Sequence, residues 1–281
     1  MTDPRFRIDE LQKLVEIARK LYLSRSVYRP TTERAYLAEQ VFGKILLHCI
    51  SFLRLWPQNK QDIYNNLDAA SLAGVARSII EAYHVFNYLC ELRLSKEEFE
   101  FRVALMGYHH AADLDRILSQ FQFDSSDRVR QTFNMASAQS KHMLDSNSIF
   151  HGLTQGEQKE ILKGKKAYQW NLSSRTAPLS KDIEEGIYRL LSNCVHSFPL
   201  GLMNYTFSAP DNHLNLLGVI FLALESTLLY NASVTTSYIR LRWKLGKRLT
   251  KEEKRFVSSL ITPKYIEEWL AARRKFGASL F

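Results

Sequence analysis

The stretch LNLLGVIFLALESTLLY, residues 214–230, is the most apolar run of the chain and decides its fold. Asn215 and Glu225 interrupt this run, and polar residues such as Asn231 and Ser233 follow it. A carboxylate near the middle of a membrane span is strongly unfavourable. We therefore predict a buried core helix of a cytoplasmic protein without a membrane span. The opening residues MTDPRFRIDEL contain no apolar signal core, so we expect the protein not to be secreted.

Apolar residues recur at three- and four-residue spacing along most of the chain, which is typical of helices that bury one face. Sustained alternation is missing, as are the Asn-Gly and Asp-Gly pairs that favour hairpins. The pattern predicts an all-α bundle of roughly nine to ten helices with no significant β-sheet. We expect residues 1–236 to form the helical core and residues 237–281 to form a basic helical extension packed on the same domain.

Several predicted helices begin at a hydroxyl N-cap that is followed three residues later by glutamate. These pairs are Ser95 with Glu98, Thr154 with Glu157, and Thr250 with Glu253. Thr262 followed by Pro263 marks another start, because proline is tolerated in the first helical turn. The predicted helices cover about 6–24, 32–57, 67–94, 96–122, 126–145, 154–164, 180–197, 212–236, 250–260 and 263–276.

The formal net charge is +9, and most of the excess lies near the C-terminus. Residues 239–281 contain twelve Lys and Arg against four acidic residues. Such a cluster favours a polyanion such as RNA, or an acidic membrane surface, although a solvated helix face would carry the same charges. The loop KGKKAYQWNLSSRTAPLS, residues 163–180, interleaves cations with aromatics, which suits phosphates and bases unless the loop is a simple connector. The candidate nucleic-acid-binding residues are Lys163, Lys165, Lys166, Arg175, Lys247 and Arg248.

Cysteine usage and motif content exclude several common classes of protein. Cys49, Cys90 and Cys194 lie far apart within apolar helical patterns, which predicts buried thiols rather than disulfides or a zinc site. The chain contains no G-x-x-x-x-G-K-[ST], G-x-G-x-x-G, G-x-S-x-G or C-x-x-C. These absences argue against the usual nucleotide-binding loops, the α/β-hydrolases and zinc ribbons.

The segment YRLLSNCVHSFP, residues 188–199, places Arg189 and His196 seven residues apart on a predicted helix. Seven residues return to within about 20° of the starting direction, so both side chains share a face, with Asn193 between them. His196 falls in the predicted last turn, where helix carbonyls favour a cationic imidazole. The pair suits RNA cleavage without a metal: Arg189 would stabilise the phosphorane, and His196 would act as general acid or base. Asn193 would orient the phosphate or the histidine.

Arg189, six intervening residues and His196 resemble the R-x4-6-H signature of the HEPN superfamily of small helical proteins. Many members of that superfamily are metal-independent endoribonucleases of toxin and phage-defence systems. The resemblance implies the same activity here, a homodimer in which two copies form one composite site, and a partner protein in such a system. The superfamily usually has a polar residue after the arginine, whereas this chain has Leu190.

Three longer elements are similar to the arrangement in bacterial helical proteins grouped as domain-of-unknown-function family 5677. They are ARSIIEAYHVFNYL (residues 76–89), FRVALMGYHHAADLDR (101–116) and YRLLSNCVHSFP (188–199). The resemblance implies a bacterial protein with that helical architecture. It implies no particular substrate.

Two other interpretations of the polar residues stay open. In the first, the protein is a non-catalytic helical interaction module, and its polar side chains pair only to fix the packing, because buried charges are usually paired. The residues of that structural network are Arg77, Glu81, Glu225 and Tyr188, with Arg189 and His196 as further members.

In the second interpretation the protein binds a metal. Glu81 and His84 have the E-x-x-H spacing of di-iron bundles, and His109 and Asp113 lie one turn apart. Glu225 would supply another carboxylate. The second E-x-x-H pair that such a site needs is missing, so we predict no metal and no other cofactor.

Overall fold

The computed structural model describes residues 4–57, 68–121, 127–169, 177–196 and 210–277. Within these ranges the chain contains twelve α-helices, ten of them seven residues or longer, and no strand. The prediction of an all-α bundle is therefore confirmed. The periodicity of the apolar residues was sufficient for this, because apolar residues at three- and four-residue spacing indicate helices.

The helices of the described residues take the following bounds in chain order. They are α1 (Pro4–Leu23), α2 (Glu33–Leu55), α3 (Ala69–Cys90), α4 (Lys96–Gln120), α5 (Asp127–Asp145), α6 (Ser148–Gly152), α7 (Gln155–Leu162), α8 (Lys181–Val195), α9 (Pro210–Leu241), α10 (Trp243–Gly246), α11 (Lys251–Ser259) and α12 (Pro263–Gly277). A short 3-10 turn, Ser24–Ser26, follows α1.

The predicted N-caps define four of these twelve starts. The capping boxes at the starts of α7 and α11 are complete, with the threonine hydroxyl accepting from the backbone and the glutamate reaching back. At α4 only half of the box forms, because Ser95 accepts from the Glu98 amide while the Glu98 carboxylate pairs with Arg102. Helix α12 begins at Pro263, as predicted.

The chain forms two compact units. One consists of Met1–Cys90 with Thr176–Phe281, and the other of Glu91–Arg175. The second unit lies inside the range 1–236, which the sequence suggested as one core. The basic extension belongs to the first unit, where α10, α11 and α12 each contact α9.

Helix α9 is the centre of the first unit and contacts α1, α2, α3 and α8. Residues 219–235 of this helix are all buried, which confirms the prediction of a core helix for the described part of the apolar run. By length and composition alone, α2 and the segment Leu217–Leu241 would be long and apolar enough to cross a membrane. Of the apolar window in Leu217–Leu241, 83% is buried inside the protein.

The second unit packs α4 against α5 and α6. Its core consists of Phe101, Ala104, Leu105, Leu144, Phe150 and Ile161. All three cysteine thiols, which lie in the first unit, are buried and free of disulfides. Burial raises the pKa of the Cys90 thiol to about 12, so this thiol is protonated and inert at neutral pH.

Candidate functional site

Helices α3 and α8 pack together as an antiparallel pair joined by polar side chains. On α3 the spacing of Arg77, Glu81 and His84 is four and then three residues, which places all three on one face. On α8 the partners are Glu184 and Tyr188, one turn apart, and His196 follows the helix end. We call these six residues the polar seam: Arg77, Glu81, His84, Glu184, Tyr188 and His196.

The inner end of the polar seam is sealed. Glu184 is only 6% exposed and lies in the first turn of α8, where the helix N-terminus favours a carboxylate. Its Oε1 lies 2.8 Å from His84 Nε2 and accepts a 2.7 Å hydrogen bond from the Tyr230 hydroxyl of α9. Burial and the nearby Glu184 charge raise the pKa of Tyr230 far above its ordinary value, so the phenol stays a donor. This end ties three helices together.

The outer end of the polar seam is open to solvent on one side. The Tyr188 hydroxyl donates to Glu81 Oε1 at 2.6 Å, and the Arg77 Nε donates to both Glu81 and Tyr188 at 3.0 Å. Glu81 retains 49% of its side-chain exposure. Partial burial and the hydrogen bond to Glu81 raise the pKa of Tyr188, so it is protonated at neutral pH.

Arg77 also holds His196. The Arg77 Nη1 lies 3.3 Å from His196 Nε2. A guanidinium only donates hydrogen bonds, so Nε2 is the acceptor and the ring proton is assigned to Nδ1 in this arrangement. The His196 side chain is exposed, so its ring stays accessible while this contact orients it.

The predicted helix over 180–197 ends two residues early, at Val195. His196 is therefore not in the last turn, as predicted, but is the C-cap residue with an extended backbone, φ −88° and ψ 140°. Its amide still donates to the Ser192 carbonyl. The ψ of 140° redirects the chain that follows His196, and the His196 ring lies against Arg77 of α3.

The other two proposed catalytic residues lie on α8. Arg189 is exposed, and within the described part of the chain its guanidinium makes no hydrogen bond or ion pair. Asn193 is half-buried, and its side-chain amide donates to the Arg189 carbonyl at 2.8 Å. The amide thus bonds to its own helix, whereas the Arg189 side chain is available to a ligand.

Glu225, proposed as a member of the same network, lies elsewhere. It is 4% exposed on α9, and its Oε2 lies 3.0 Å from Arg273 Nε of α12. Burial raises the pKa of Glu225 to about 7, against the opposing charges of Arg273 and Arg7. Arg7 in turn pairs with Glu10 at 3.0 Å. This second buried cluster joins α1, α9 and α12.

The proposed nucleic-acid-binding cations lie in both units. Lys163, Lys165 and Lys166 lie in the second unit, and Lys165 is exposed. Lys163 pairs with Glu160. Lys247 and Arg248 are exposed in the first unit, after α10. Arg175 lies outside the described residues.

The backbone at the basic segment after α7 is held firmly in place. Gly164 adopts a left-handed conformation, φ 64°, which a residue with a Cβ rarely adopts. Its carbonyl accepts from Arg116 at 2.9 Å and lies 2.8 Å from His109 Nδ1. His109, a candidate metal ligand from sequence, thus contacts a backbone carbonyl.

Within the described ranges, no group of three or more His, Cys, Asp or Glu side chains is placed to hold a metal ion. The residues of the E-x-x-H pair separate: Glu81 bonds to Tyr188, and His84 pairs with Glu184. At the outer end of the polar seam, a ligand in solvent could instead contact the Arg77 guanidinium and the exposed His196 imidazole.

Sequence reasoning missed Glu184 and Tyr230. Glu184 stands one turn before Tyr188, so a carboxylate on the face of α8 that already carried a predicted network residue was a usable signal. Tyr230 gave no such signal, because an aromatic residue inside an apolar helix is usually an ordinary core residue.

Comparison of the chain with protein-family models, with curated proteins and with solved structures finds no match.

Proposed function

We propose that this chain is a HEPN-like, RNA-directed protein that cleaves RNA without a metal, as part of a toxin or phage-defence system. The observations that carry the proposal are the exposure of His196, held beside Arg77 at the outer end of the polar seam, and the exposure of Arg189 on α8. A catalytic pair must be reachable by substrate, whereas a purely structural pair is normally sealed and fully hydrogen-bonded. Both side chains meet the first requirement.

In the proposed reaction the 2′-hydroxyl of RNA attacks its own phosphodiester. A general base takes the 2′-proton, the bond from phosphorus to the 5′-oxygen breaks, and a general acid returns a proton to that oxygen. The products are a 2′,3′-cyclic phosphate and a 5′-hydroxyl. Arg189 neutralises the phosphorane charge, and the imidazole of His196 is the acid or base.

Arg77 is the positioning residue of this site. Because Arg77 Nη1 requires an unprotonated His196 Nε2 as acceptor, the contact at 3.3 Å must open when Nε2 takes a proton. The Arg77 guanidinium, the second cation of the proposed site besides Arg189, then remains close to the charge that develops on phosphorus. Tyr188 and Glu81 hold Arg77 in place for this role.

One imidazole cannot take the 2′-proton and donate to the leaving oxygen at the same moment. A second copy of the chain would supply the other His196, which agrees with the composite dimer that the HEPN resemblance implies.

The test is incubation of the purified protein with mixed RNA in EDTA. Arg189→Ala and His196→Ala are each expected to reduce cleavage by about 100-fold or more. The matched controls are Arg255→Ala and His110→Ala, which remove exposed side chains of the same types on other helices. No cleavage by the parent protein, or equal cleavage by all variants, would reject the proposal.

The alternative function is a non-catalytic helical interaction module. The observation that favours it is that the Arg77 guanidinium already contacts Glu81, Tyr188 and His196 of its own chain. In that case Arg77→Ala lowers the unfolding free energy, and Arg189→Ala changes no measured property. The EDTA assay distinguishes the two, since the interaction module cleaves no RNA.

A further inference from the structure

The junction between α9 and α10 is anchored to the segment that follows α1. Arg242 is only 8% exposed, and its Nη1 donates to Glu39 Oε2 of α2 at 2.8 Å. Its Nη2 donates to the Tyr28 carbonyl. Arg25 Nε lies 3.7 Å from the other Glu39 oxygen. Two guanidinium groups thus neutralise the carboxylate of this anchor, so it adds no net negative charge to the surface above it.

Four large hydrophobic side chains are exposed on residues that lie close in sequence to members of this anchor. They are Leu23 (62% exposed), Val27 (62%), Tyr36 (52%) and Trp243 (56%). Val27 directly precedes Tyr28, and Trp243 directly follows Arg242. Tyr36 lies one turn before Glu39 on α2. Leu23 stands two residues before Arg25. Single exposed hydrophobic residues are common on proteins, but four on the segments that this anchor ties together indicate a contact surface.

Cations surround the same surface. Lys247 Nζ lies 4.5 Å from the centre of the Trp243 ring, and Lys244 Nζ lies 5.8 Å from it. Arg248 Cζ lies 5.6 Å from the centre of the Tyr28 ring. These three cationic side chains are exposed. The surface thus combines exposed aromatic and aliphatic groups with positive charge. We call the four hydrophobic residues and these three cations the Trp243 surface.

We propose that the Trp243 surface docks on an anionic phospholipid bilayer, as a peripheral interface rather than a membrane span. Tryptophan and tyrosine favour the bilayer interface, and lysine and arginine are attracted to anionic headgroups. Stable attachment generally needs both apolar insertion and a basic patch, and this surface provides both. Leu23 and Val27 decide against nucleic acid as the partner, because aliphatic side chains insert between acyl chains but gain little from phosphates. The proposal is independent of RNA cleavage.

The test is co-sedimentation of the full chain with phosphatidylcholine vesicles that contain or lack phosphatidylserine. Binding is expected only with phosphatidylserine and is expected to weaken as salt is added. Lys244→Ala/Lys247→Ala should weaken binding about 30-fold, from roughly fivefold for each cation near an anionic surface. Trp243→Ala should weaken it about tenfold. The blue shift of tryptophan emission on binding should be lost in Trp243→Phe.

The charge-matched control is Lys181→Ala/Lys264→Ala, which removes two exposed lysines from α8 and α12, helices that contribute nothing to the Trp243 surface. Circular dichroism checks that each variant is folded. The proposal is overturned by absence of binding, by equal binding to neutral vesicles, or by equal loss in the control. It is also overturned if Trp243→Ala weakens binding of an RNA oligonucleotide but not of vesicles, which would assign the surface to nucleic acid.

Discussion

The two ends of the polar seam use the same chemistry in different surroundings. At each end a tyrosine hydroxyl donates to a carboxylate, at 2.7 Å for Tyr230 and Glu184 and at 2.6 Å for Tyr188 and Glu81. The Glu184 side chain is 8% exposed, whereas that of Glu81 is 49% exposed. The same hydrogen bond is therefore a structural element at one end and an accessible, adjustable contact at the other.

The difference in exposure gives the two ends of the α3–α8 pair different roles: the inner end contributes to stability, and the outer end is accessible to a ligand. A buried carboxylate that loses a partner cannot recover the hydrogen bond from water, so each contact at the inner end matters for folding. At the outer end water replaces lost partners, and the side chains can serve a ligand with little effect on stability.

The largest effect is expected at Glu184. Glu184→Ala removes the acceptor shared by His84 and Tyr230 and should lower the unfolding free energy by about 3–5 kcal/mol, as for other broken buried pairs. Urea denaturation measures this. The control is Glu185→Ala, the next residue, which is exposed and should change stability by less than about 0.5 kcal/mol. Equal effects of the two substitutions would contradict a sealed inner end.

A second buried carboxylate, Glu225, extends the comparison to pH. Because burial raises its pKa from 4.5 to about 7, the folded state binds the proton more tightly than the unfolded state. Stability from this group is present at low pH and is lost as the pH rises through this window. Relative to Glu225→Gln, the parent protein should lose on the order of 3 kcal/mol of unfolding free energy as the pH rises from 4.5 to about 7.

Denaturation of both proteins at a series of pH values measures the difference. Arg273 and Arg7 are the charged groups that oppose the shift at Glu225. Glu185→Gln, at an exposed position, should show no such trend. A constant difference between the parent and Glu225→Gln across the pH series would show that the ion pair with Arg273 offsets the burial of the carboxylate.

The same substitution can be made at both ends of the polar seam. Tyr230→Phe removes a donor from the buried Glu184 and should lower the unfolding free energy by about 2 kcal/mol. Tyr188→Phe makes the same chemical change near solvent and should lower it by less than about 1 kcal/mol. Thermal or urea denaturation of the two variants measures both losses. A larger loss of stability in Tyr188→Phe than in Tyr230→Phe would contradict the difference between the two ends.

The smallest stability effect is expected at Arg189. The side chain is exposed and makes no hydrogen bond or ion pair within the described residues, so Arg189→Ala should alter stability by less than about 0.5 kcal/mol. Its effect on RNA cleavage should nevertheless be large. A substantial loss of stability in urea would instead assign Arg189 to the structural network.

Much of the fold could be predicted from sequence, because its signals are local. The hydroxyl N-caps of Thr154 and Thr250 with their glutamates determine helix starts within a few residues of chain. The short helices α6 and α10 were missed because four or five residues do not carry a full period of apolar spacing. The compact unit formed by Glu91–Arg175 was also missed, since no linker composition marks its ends.

The site was less accessible to sequence reasoning, because it depends on which helices meet. Spacing placed Arg77 and Glu81 one turn apart, but only the packing of α3 on α8 brings Tyr188 to both. The prediction that His196 lies in the last helical turn was wrong for a local reason, since α8 ends at Val195, two residues before the predicted end, and His196 is the C-cap. Glu225, like Arg77 and Glu81, is a charged residue inside an apolar helical pattern. Its partner is nevertheless Arg273 of α12 and not a residue of the polar seam.

The most direct test of the central claim is analysis of the products formed from a defined RNA oligonucleotide in EDTA. We predict fragments that end in a 2′,3′-cyclic phosphate and begin with a 5′-hydroxyl, detected by mass spectrometry. The same oligonucleotide with 2′-deoxy sugars should stay intact, and Arg189→Ala should yield no fragments. Cleavage of the deoxy oligonucleotide, products with a 5′-phosphate, or no cleavage at all would contradict the proposed role of the outer end of the polar seam.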